Sequence, residues 1–346
     1  MSRRSQLKKI RYFCEYLLIL IPYYLIRLAP HFIIRMLAKT GSKFAWSCIL
    51  PVRKIIIANL NTAFPEKDDE WVVKIGKTSL FNTFYNILDY IWMMGKPARM
   101  DRCLRLPEHI YNELHGCAES GTRIIFVNPH LGSWEASGII ATNIAGVKMA
   151  AIAKITRNPF LNNLLNKDNR ERGGIKIIFS KGAVRETLKC LNSGTSIGTL
   201  IDQNTRLRDG GIFVKMFGIQ VTASRTPATL WNYCRANDIP AKVIYGTTLR
   251  SGDLLTPEME FLSKDYSEYP DENAIIQELT AITEKYVRLY PDQYLWLYQR
   301  FKYIPKNITP EIRARYPFYA IVPNDRFFSS RAKTKSHKKD DIAQKP

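Results

Sequence analysis

The sequence has few cysteines and histidines, and none of them has the spacing of a known structural or metal motif. The six cysteines include no Cys-x-x-Cys pair, so neither a disulfide framework nor a zinc ribbon is indicated, and a reducing compartment fits best. The five histidines show no His-x-x-x-His or His-Glu-x-x-His spacing. A catalytic metal therefore has no obvious ligand set, and we expect none.

Acidic residues are scarce relative to basic ones, and sequence features that would divide the chain are missing. Lys and Arg number 51 against 31 Asp and Glu, a formal net charge of +20. Such a chain needs an anionic partner, either nucleic acid, phospholipid headgroups or an acidic protein. No zinc finger, K-homology loop or RNP aromatic motif is present, so we expect no nucleic-acid binding. Without repeats or Pro-rich or Gly/Ser-rich linkers, residues 41–328 are predicted to form one domain.

The N-terminal region lacks an apolar run long enough for a straight membrane-spanning helix. A basic cluster from Arg3 to Arg11 precedes an apolar stretch over residues 12–26, in which Glu15 is the only charged residue. The uncharged part is shorter than about 20 residues, so an interfacial or tilted segment fits as well as a true span. A buried core helix is the alternative, but the preceding basic cluster favours a membrane anchor.

The residues at the two ends of the chain extend this prediction. Arg27, His31 and Arg35 have helical spacing along a second apolar stretch, which favours an amphipathic helix against lipid headgroups, although an ordinary surface helix has the same pattern. We therefore expect residues 1–40 to hold the protein on the cytoplasmic face of a membrane. Residues 329–346 contain many lysines and almost nothing apolar, which predicts a basic disordered tail.

Short apolar runs alternate with longer helical patterns from residue 123 onward. We expect strands over residues 124–127, 149–153, 175–179, 197–201 and 241–245. We expect helices over residues 134–144, 159–170, 182–191, 227–237, 272–289 and 293–301. This alternation predicts an α/β fold, in which a mixed central sheet is flanked by helices.

The strongest local signal for catalysis is the string NPHLGSWE at residues 128–135. It lies where the first strand should end and a helix should begin, the edge of a sheet at which ligands bind. If both residues were on one helix, their side chains would point about 140° apart around its axis. His130 and Glu135 can therefore meet only if His130 lies in the turn before the helix. Glu135 would then accept the Nδ1 proton, leaving Nε2 as a general base for a hydroxyl. An incidental pair is the alternative.

A second motif, GTSIG at residues 194–198, matches the Gly-x-Ser-x-Gly pattern of a hydrolase nucleophile elbow. An elbow requires a strand before the serine and a helix after it. Here the helical pattern comes first and the apolar strand follows, and the histidine downstream, His337, lies in the basic tail. We therefore reject a serine hydrolase and expect Ser196 only to begin a strand.

The string HLGSWE resembles the His-x-x-x-x-Glu motif of the bacterial lipid A biosynthesis acyltransferases, the lauroyl and myristoyl transferases of lipopolysaccharide assembly. Further likenesses follow in the family's order: NL and AFP within residues 59–65, RNP at 157–159, DQ at 202–203, FVKMFG at 213–218, and PDQYLWLYQRFK at 291–302. Ser133, Met216, Tyr298 and Gln299 depart from the family's usual residues. The resemblance implies a glycerolipid-acyltransferase-like fold and the transfer of an acyl chain to a glycolipid hydroxyl.

The resemblance also implies site residues and partners. Arg170 and Asp202 match the family's second essential pair by position, with Arg172 as an alternative to Arg170. Arg170 would bind a phosphate with two hydrogen bonds, and Asp202 would hold the Arg170 side chain in place. Without the resemblance, Arg170 looks like a surface arginine and Asp202 like an aspartate in a turn. The implied donor is acyl carrier protein, the acceptor is an anionic lipid A precursor at the bacterial inner membrane, and no further cofactor is needed. The alternative is a related enzyme that acylates another lysolipid or a phosphatidylinositol mannoside from acyl-CoA.

Overall fold

A six-stranded sheet forms the centre of the computed structural model, which describes residues 3–96, 98–153, 155–179 and 183–328. The strands in these residues are β1 (Arg123–Asn128), β2 (Met149–Ala153), β3 (Ile175–Phe179), β4 (Ser196–Leu200), β5 (Gly211–Met216), β6 (Ile219–Ser224), β7 (Ala241–Ser251) and β8 (Leu254–Phe261). The sheet order is β3-β2-β4-β1-β7-β8, and β5 and β6 form a separate antiparallel hairpin. The expected basic tail lies outside the described residues.

The direction of the strands brings several loops to one edge of the sheet. β1, β2, β3, β4 and β7 are parallel to their neighbours, whereas β8 is antiparallel to β7 at the sheet's edge. β1 and β4 are adjacent, and Asn128 at the end of β1 lies opposite Leu200 at the end of β4. Because both strands end at the same level, the residues two positions beyond each end, His130 and Asp202, come together.

Helices cover both faces of the sheet. The α-helices of the described residues are α1 (Arg3–Leu28), α2 (His31–Cys48), α3 (Leu50–Ala63), α4 (Asp69–Met93), α5 (Ala98–Cys103), α6 (Glu108–Ser120), α7 (Trp134–Ile139), α8 (Pro159–Leu165), α9 (Ala183–Asn192), α10 (Thr226–Ala236), α11 (Glu272–Leu289), α12 (Pro310–Ala314) and α13 (Asp325–Phe328). Ile125 and Val127 of β1 face the large core that holds α3, α10 and α11. Ile124 and Phe126 face a smaller core with α6, as the alternation of side chains along a strand requires.

The structure confirms an α/β fold with a central sheet flanked by helices, and every strand expected from the sequence is present, although β7 continues to Ser251 beyond its expected end at residue 245. β4 begins at Ser196, whose Oγ accepts a hydrogen bond from the backbone of Ile124 at 2.9 Å. The expectation that Ser196 begins a strand is therefore confirmed. The β5–β6 hairpin and β8 were not expected.

The predicted helix over residues 293–301 is wrong. Residues Pro291–Gln293 form one short 3-10 turn, and the chain then runs irregularly. The backbone of Leu295 donates to the carbonyl of His130 at 3.0 Å, and Asn59 Nδ2 donates to the carbonyls of Trp296 and Tyr298. These partners replace helical hydrogen bonds, because the segment pairs with the loop that holds His130.

Each of the two N-terminal helices, α1 and α2, has one packed face and one exposed face. The Phe13 ring of α1 packs edge-on to Phe160 of α8 at 5.8 Å, and Tyr23 donates to Asn169 at 2.7 Å. The outward side of α1 is apolar, as Leu18 (75% exposed) illustrates. Among the described residues, no helix combines the length and the apolar character that a membrane crossing requires.

Candidate active site

His130 lies in the loop between β1 and α7, and its ring contacts a buried carboxylate. Nδ1 of His130 lies 2.7 Å from Asp202 Oδ1, and the backbone N–H of His130 donates to Asp202 Oδ2 at 2.8 Å. Since an ionised carboxylate only accepts hydrogen bonds, the neutral ring carries its proton on Nδ1 and keeps a lone pair on Nε2. The expected contact between His130 and Glu135 is therefore wrong, because the neighbouring parallel strand supplies the carboxylate instead.

Two further residues contact the His130 ring on the side away from Asp202. Gln203 Nε2 lies 3.0 Å from His130 Nε2 and donates to its lone pair. The Trp134 ring lies 5.2 Å from the His130 ring, centroid to centroid. The nitrogen that would take a proton is thus occupied by an amide, which a substrate hydroxyl can replace.

Asp202 is buried, and its neighbours nevertheless favour its ionised form. Burial alone would raise the pKa of Asp202, but the charge that His130 carries when protonated, the hydrogen bonds from His130 and then the charge of Arg300 lower the pKa below its ordinary value. Arg300 is itself buried and donates Nη1 to the carbonyl of Thr222 at 2.5 Å. The ionised carboxylate is suited to fix the tautomer of His130 and to stabilise its protonated form.

The loop that follows His130 is held by backbone hydrogen bonds on both sides. The N–H of Gly132 donates to the carbonyl of Gln293 at 3.0 Å, and the N–H of Ser133 donates to the carbonyl of Thr248 at 2.7 Å. Asn86 of α4 donates to the carbonyl of Gly132 at 2.8 Å. Gln293, β7 and α4 therefore fix the position of the His130 loop together.

Substitution of Gly132 tests whether this loop is packed tightly against β7. Gly132 has a φ of +62°, and a Cβ at this position would lie 2.1 Å from the carbonyl oxygen of Thr248. Gly146 also has a positive φ, +75°, but faces open space. We expect Gly146→Ala to lower the free energy of unfolding by about 1–2 kcal/mol through backbone strain, and Gly132→Ala to lower it by more than about 3 kcal/mol. Urea unfolding measures both; equal losses would contradict the tight contact with β7.

Glu135 pairs with an arginine on the other side of the loop. Arg170 Nε donates to Glu135 Oε2 at 3.0 Å, and Arg170 Nη2 donates to Glu135 Oε1. Nη1 donates to Asn166 at 3.0 Å within the π-helical segment Asn166–Glu171 that continues α8. Arg170 was expected to be held by Asp202, and this expectation is wrong. Arg172 is exposed at the end of the same segment.

A buried tyrosine accompanies the Glu135–Arg170 pair. Burial opposes the charge of Arg170, but the hydrogen bond and charge of Glu135 outweigh it and raise the pKa of Arg170. Burial, and then the charge of Glu135, raise the pKa of Tyr90. The Tyr90 hydroxyl is buried and has no hydrogen-bond partner among the described residues. Because an unpaired buried hydroxyl costs about 1–3 kcal/mol, it is suited to bind a ligand group.

A cavity of about 650 Å³ opens beside Gln203 at the same edge of the sheet. Ile152 of β2 and Leu200 of β4 contribute apolar walls, whereas Arg206 and Thr226 contribute polar groups. Its volume lies within the range of ligand sites, about 300–1,000 Å³. Because Gln203 lines this cavity and also contacts Nε2 of His130, the Gln203 side chain lies between the cavity and the ring.

One group of potential metal ligands occurs in the described residues, away from His130. Ligand atoms of His31, Asp89 and Cys103 lie within 4.8 Å of one another. Asp89 Oδ2 already accepts from Arg250 at 2.7 Å, and burial raises the pKa of the Cys103 thiol to about 11. Both carboxylate oxygens of Asp89 already have partners, since Oδ1 contacts His31, and the thiol is protonated, so we assign no metal to this group.

His130, Asp202 and the cavity beside Gln203 together form the candidate active site. The profile of the family described as bacterial lipid A biosynthesis acyltransferase matches residues 1–303. The chain is 29% identical over 154 residues to the lipid A biosynthesis palmitoleoyltransferase of Escherichia coli (strain K12), covering 42% of this chain and 46% of that protein. The same figures hold for the lipid A biosynthesis acyltransferase of Shigella flexneri. The match thus spans under half the length of these relatives.

The chain belongs to the bacterial lipid A biosynthesis acyltransferases, a family of enzymes that transfer acyl groups.

Proposed function

We propose that the protein transfers a fatty acyl chain from an acyl thioester to a hydroxyl of a phosphorylated glycolipid, a precursor of lipid A. The observation that carries this proposal is the contact of His130 Nδ1 with Asp202 at 2.7 Å. It leaves Nε2 as a base beside a cavity, which is what the deprotonation of a hydroxyl requires. The donor we propose is acyl carrier protein.

In the proposed reaction the acceptor hydroxyl displaces Gln203 from Nε2 of His130 and gives its proton to that nitrogen. The hydroxyl oxygen forms a bond to the thioester carbonyl carbon, and the carbonyl electron pair moves to oxygen. When the carbonyl re-forms, the carbon–sulfur bond breaks, and the leaving sulfur takes the proton from His130. Asp202 stabilises the protonated ring meanwhile. The thioester is already activated, so the reaction needs no cofactor and no covalent acyl-enzyme.

Arg170 is the residue we assign to the charged part of the substrate. Its contacts with Glu135 and Asn166 use one N–H on each of three nitrogens, whereas a guanidinium has five N–H groups. The remaining donors can bind a phosphate or the developing oxyanion. The unpaired Tyr90 hydroxyl adds a neutral donor beside them.

The proposed partners and location follow from the surface. A net charge of +20 suits both an acidic carrier protein and anionic headgroups. Leu18 and Leu25 of α1 and Phe32 of α2 are 75%, 62% and 69% exposed, an apolar surface that suits a lipid interface. We therefore propose that α1 and α2 hold the enzyme on the cytoplasmic face of the bacterial inner membrane.

Point substitutions on α1 test the membrane role better than deletion, which would also remove the packing of Phe13 on Phe160. We expect the double variant Leu18→Gln/Leu25→Gln to bind vesicles containing phosphatidylglycerol more than tenfold less tightly, because each buried leucine contributes about 1.5–3 kcal/mol. Flotation measures the bound fraction.

The matched control changes two residues of similar exposure elsewhere. Val184 is 76% exposed and Leu289 is 61% exposed, so Val184→Gln/Leu289→Gln should float like the unmodified protein. Equal binding by both double variants would refute a membrane role for this face of α1.

The proposed function is tested by direct assay of the purified protein. Acyl carrier protein thioesters and acyl-CoA are offered in parallel, with a phosphorylated lipid A precursor, a lysophospholipid or a phosphatidylinositol mannoside as acceptor. We expect an ester product from the acyl carrier protein thioester and the lipid A precursor, detected by mass spectrometry. Product formed from acyl-CoA and another acceptor alone would overturn the proposal in favour of a related acyltransferase.

A further inference from the structure

A second cavity, of about 620 Å³, lies where α1 meets α2, and none of the residues assigned to the proposed reaction lines it. Three basic residues line it, Lys96, Arg99 and Arg102, together with apolar residues that include Leu28 and Trp92. We propose that this cavity binds a phosphate group carried by a lipid. The binding itself does not depend on the proposed acyl transfer.

The lining carries a surplus of positive charge. Lys96 and Arg102 are exposed, and neither forms an ion pair within the part of the chain that the structure describes. Asp253, the carboxylate in the lining, accepts a hydrogen bond from Tyr85 at 2.6 Å and lies 3.8 Å from Arg35. The lining thus has three cationic side chains and one carboxylate that already has partners, and this surplus of positive charge attracts an anion. Phosphate oxygens accept hydrogen bonds from both arginine and lysine.

Arg99 is fixed in place before any ligand binds. Its Nη1 donates to the carbonyls of Arg27 and Trp92, both at 2.7 Å, and its guanidinium lies 4.3 Å from the Trp92 ring. Burial, and then the charge of Arg27, lower the pKa of Arg99. A bound anion would reverse this shift, and a preorganised guanidinium loses little conformational entropy when it binds.

The wall next to these cations indicates a lipid rather than a free phosphate ion. Leu28 lines the cavity and is 76% exposed, and Phe32, one residue beyond the lining His31, is 69% exposed. Both lie at the junction of the outward apolar surfaces of α1 and α2. A lipid can therefore place its phosphate among the cations while its chains follow these side chains. The lipid is either the acceptor glycolipid or a membrane phospholipid.

Hydrogen bonds connect the cavity wall with the catalytic loop. His31 Nε2 lies 2.9 Å from Asp89 Oδ1, and Asp89 Oδ2 accepts from Arg250 at 2.7 Å. Arg250 donates to Asn86 at 2.7 Å, and Asn86 donates to the carbonyl of Gly132 at 2.8 Å. A lipid phosphate in this cavity would thus be held by helices that also support the loop of the general base.

The test removes the two exposed cations and retains Arg99, which anchors backbone carbonyls. The double variant is Lys96→Gln/Arg102→Gln, and the control is Lys77→Gln/Arg185→Gln, which removes the same charge from exposed positions outside the cavity. The probes are dihexanoyl phosphatidic acid and dihexanoyl phosphatidylcholine below their micelle concentrations, titrated by calorimetry. Thermal melts verify that both variants are folded.

We expect phosphatidic acid to bind the unmodified protein and the control equally, and the cavity variant at least about tenfold less tightly, because the variant loses charge-assisted hydrogen bonds to the phosphate. Equal affinity of both variants for phosphatidic acid would overturn the proposal. So would a loss of affinity for acyl carrier protein alone, because the cations would then form a protein-docking surface.

Kinetics identify the source of the phosphate. If the acceptor supplies it, the cavity variant should raise KM for the phosphorylated acceptor and leave KM for its dephosphorylated form unchanged. If a phospholipid supplies it, the variant should instead lose the response of turnover to phosphatidic acid in mixed micelles. Calorimetry requires no turnover, so a failure of the proposed acyl transfer would leave the binding test intact.

Discussion

Replacing His130 with alanine should lower kcat by about 10²- to 10⁴-fold, the usual contribution of a general base. His130 lies in a loop that Gln293, β7 and α4 hold in place, and among the described residues Asp202 is the titratable group that contacts its ring. The alanine variant leaves the Asp202 carboxylate buried without a ring partner. His130→Gln, which retains a donor but cannot act as a base, is therefore the companion variant for stability, and both should lose activity.

The same prediction extends to Asp202, because the structure pairs it with His130. Asp202→Asn retains the shape but permits the wrong tautomer of the ring, a change that costs about 10⁴-fold in a comparable triad. Residues that act as one unit give losses that do not multiply. We therefore expect the double variant His130→Ala/Asp202→Asn to be little slower than the worse single variant. Losses that multiply, or near-normal turnover of His130→Ala, would contradict the pair as a catalytic unit.

Replacing Arg170 with alanine should raise KM for the phosphorylated acceptor by roughly 10- to 100-fold, the equivalent of one charge-assisted hydrogen bond at about 1.5–3 kcal/mol. Arg170→Lys should raise KM less, because lysine retains the positive charge but lacks the paired N–H donors of a guanidinium. Glu135→Ala should resemble Arg170→Ala, since Glu135 accepts two of the guanidinium's hydrogen bonds. Steady-state kinetics with phosphorylated and dephosphorylated acceptors measure each effect.

The neighbouring arginine supplies the control for this second prediction. Arg172→Ala removes the same charge from an exposed position two residues away, and KM should remain within about twofold. A larger effect at Arg172 than at Arg170 would show that the wrong arginine has been assigned. A loss at Glu135 that multiplies with the loss at Arg170 would show that the two residues act separately.

The sequence predicted which residues form the candidate site but not how they pair. Periodicity and the strand-to-helix turn located His130 at the carboxyl edge of β1. The pairing of His130 with Asp202 depends on β4 lying next to β1, which no local pattern reveals because the residues are 72 positions apart. Proximity in sequence favoured Glu135 instead.

Two further differences have physical causes in particular segments. In α4 the polar residues Asn82, Asn86 and Asp89 are buried, so the helix lacks the polar–apolar stripe that periodicity detects. The β5–β6 hairpin turns at Phe217 and Gly218, which both have positive φ. Such a turn matches the twist of the strands, but a phenylalanine at its first position is not a typical turn residue.

The register between β1 and β4 has a consequence for how the length of this chain can vary. One residue added between Leu200 and Asp202 would advance the carboxylate by about 3.3 Å along the chain, which exceeds the tolerance of a 2.7 Å contact. Insertions in the connection between Ile144 and Met149, by contrast, leave both strand ends at the same level. Homologous or engineered chains can therefore differ in the loops between strands, whereas the two short steps from strand end to His130 and to Asp202 must keep their length.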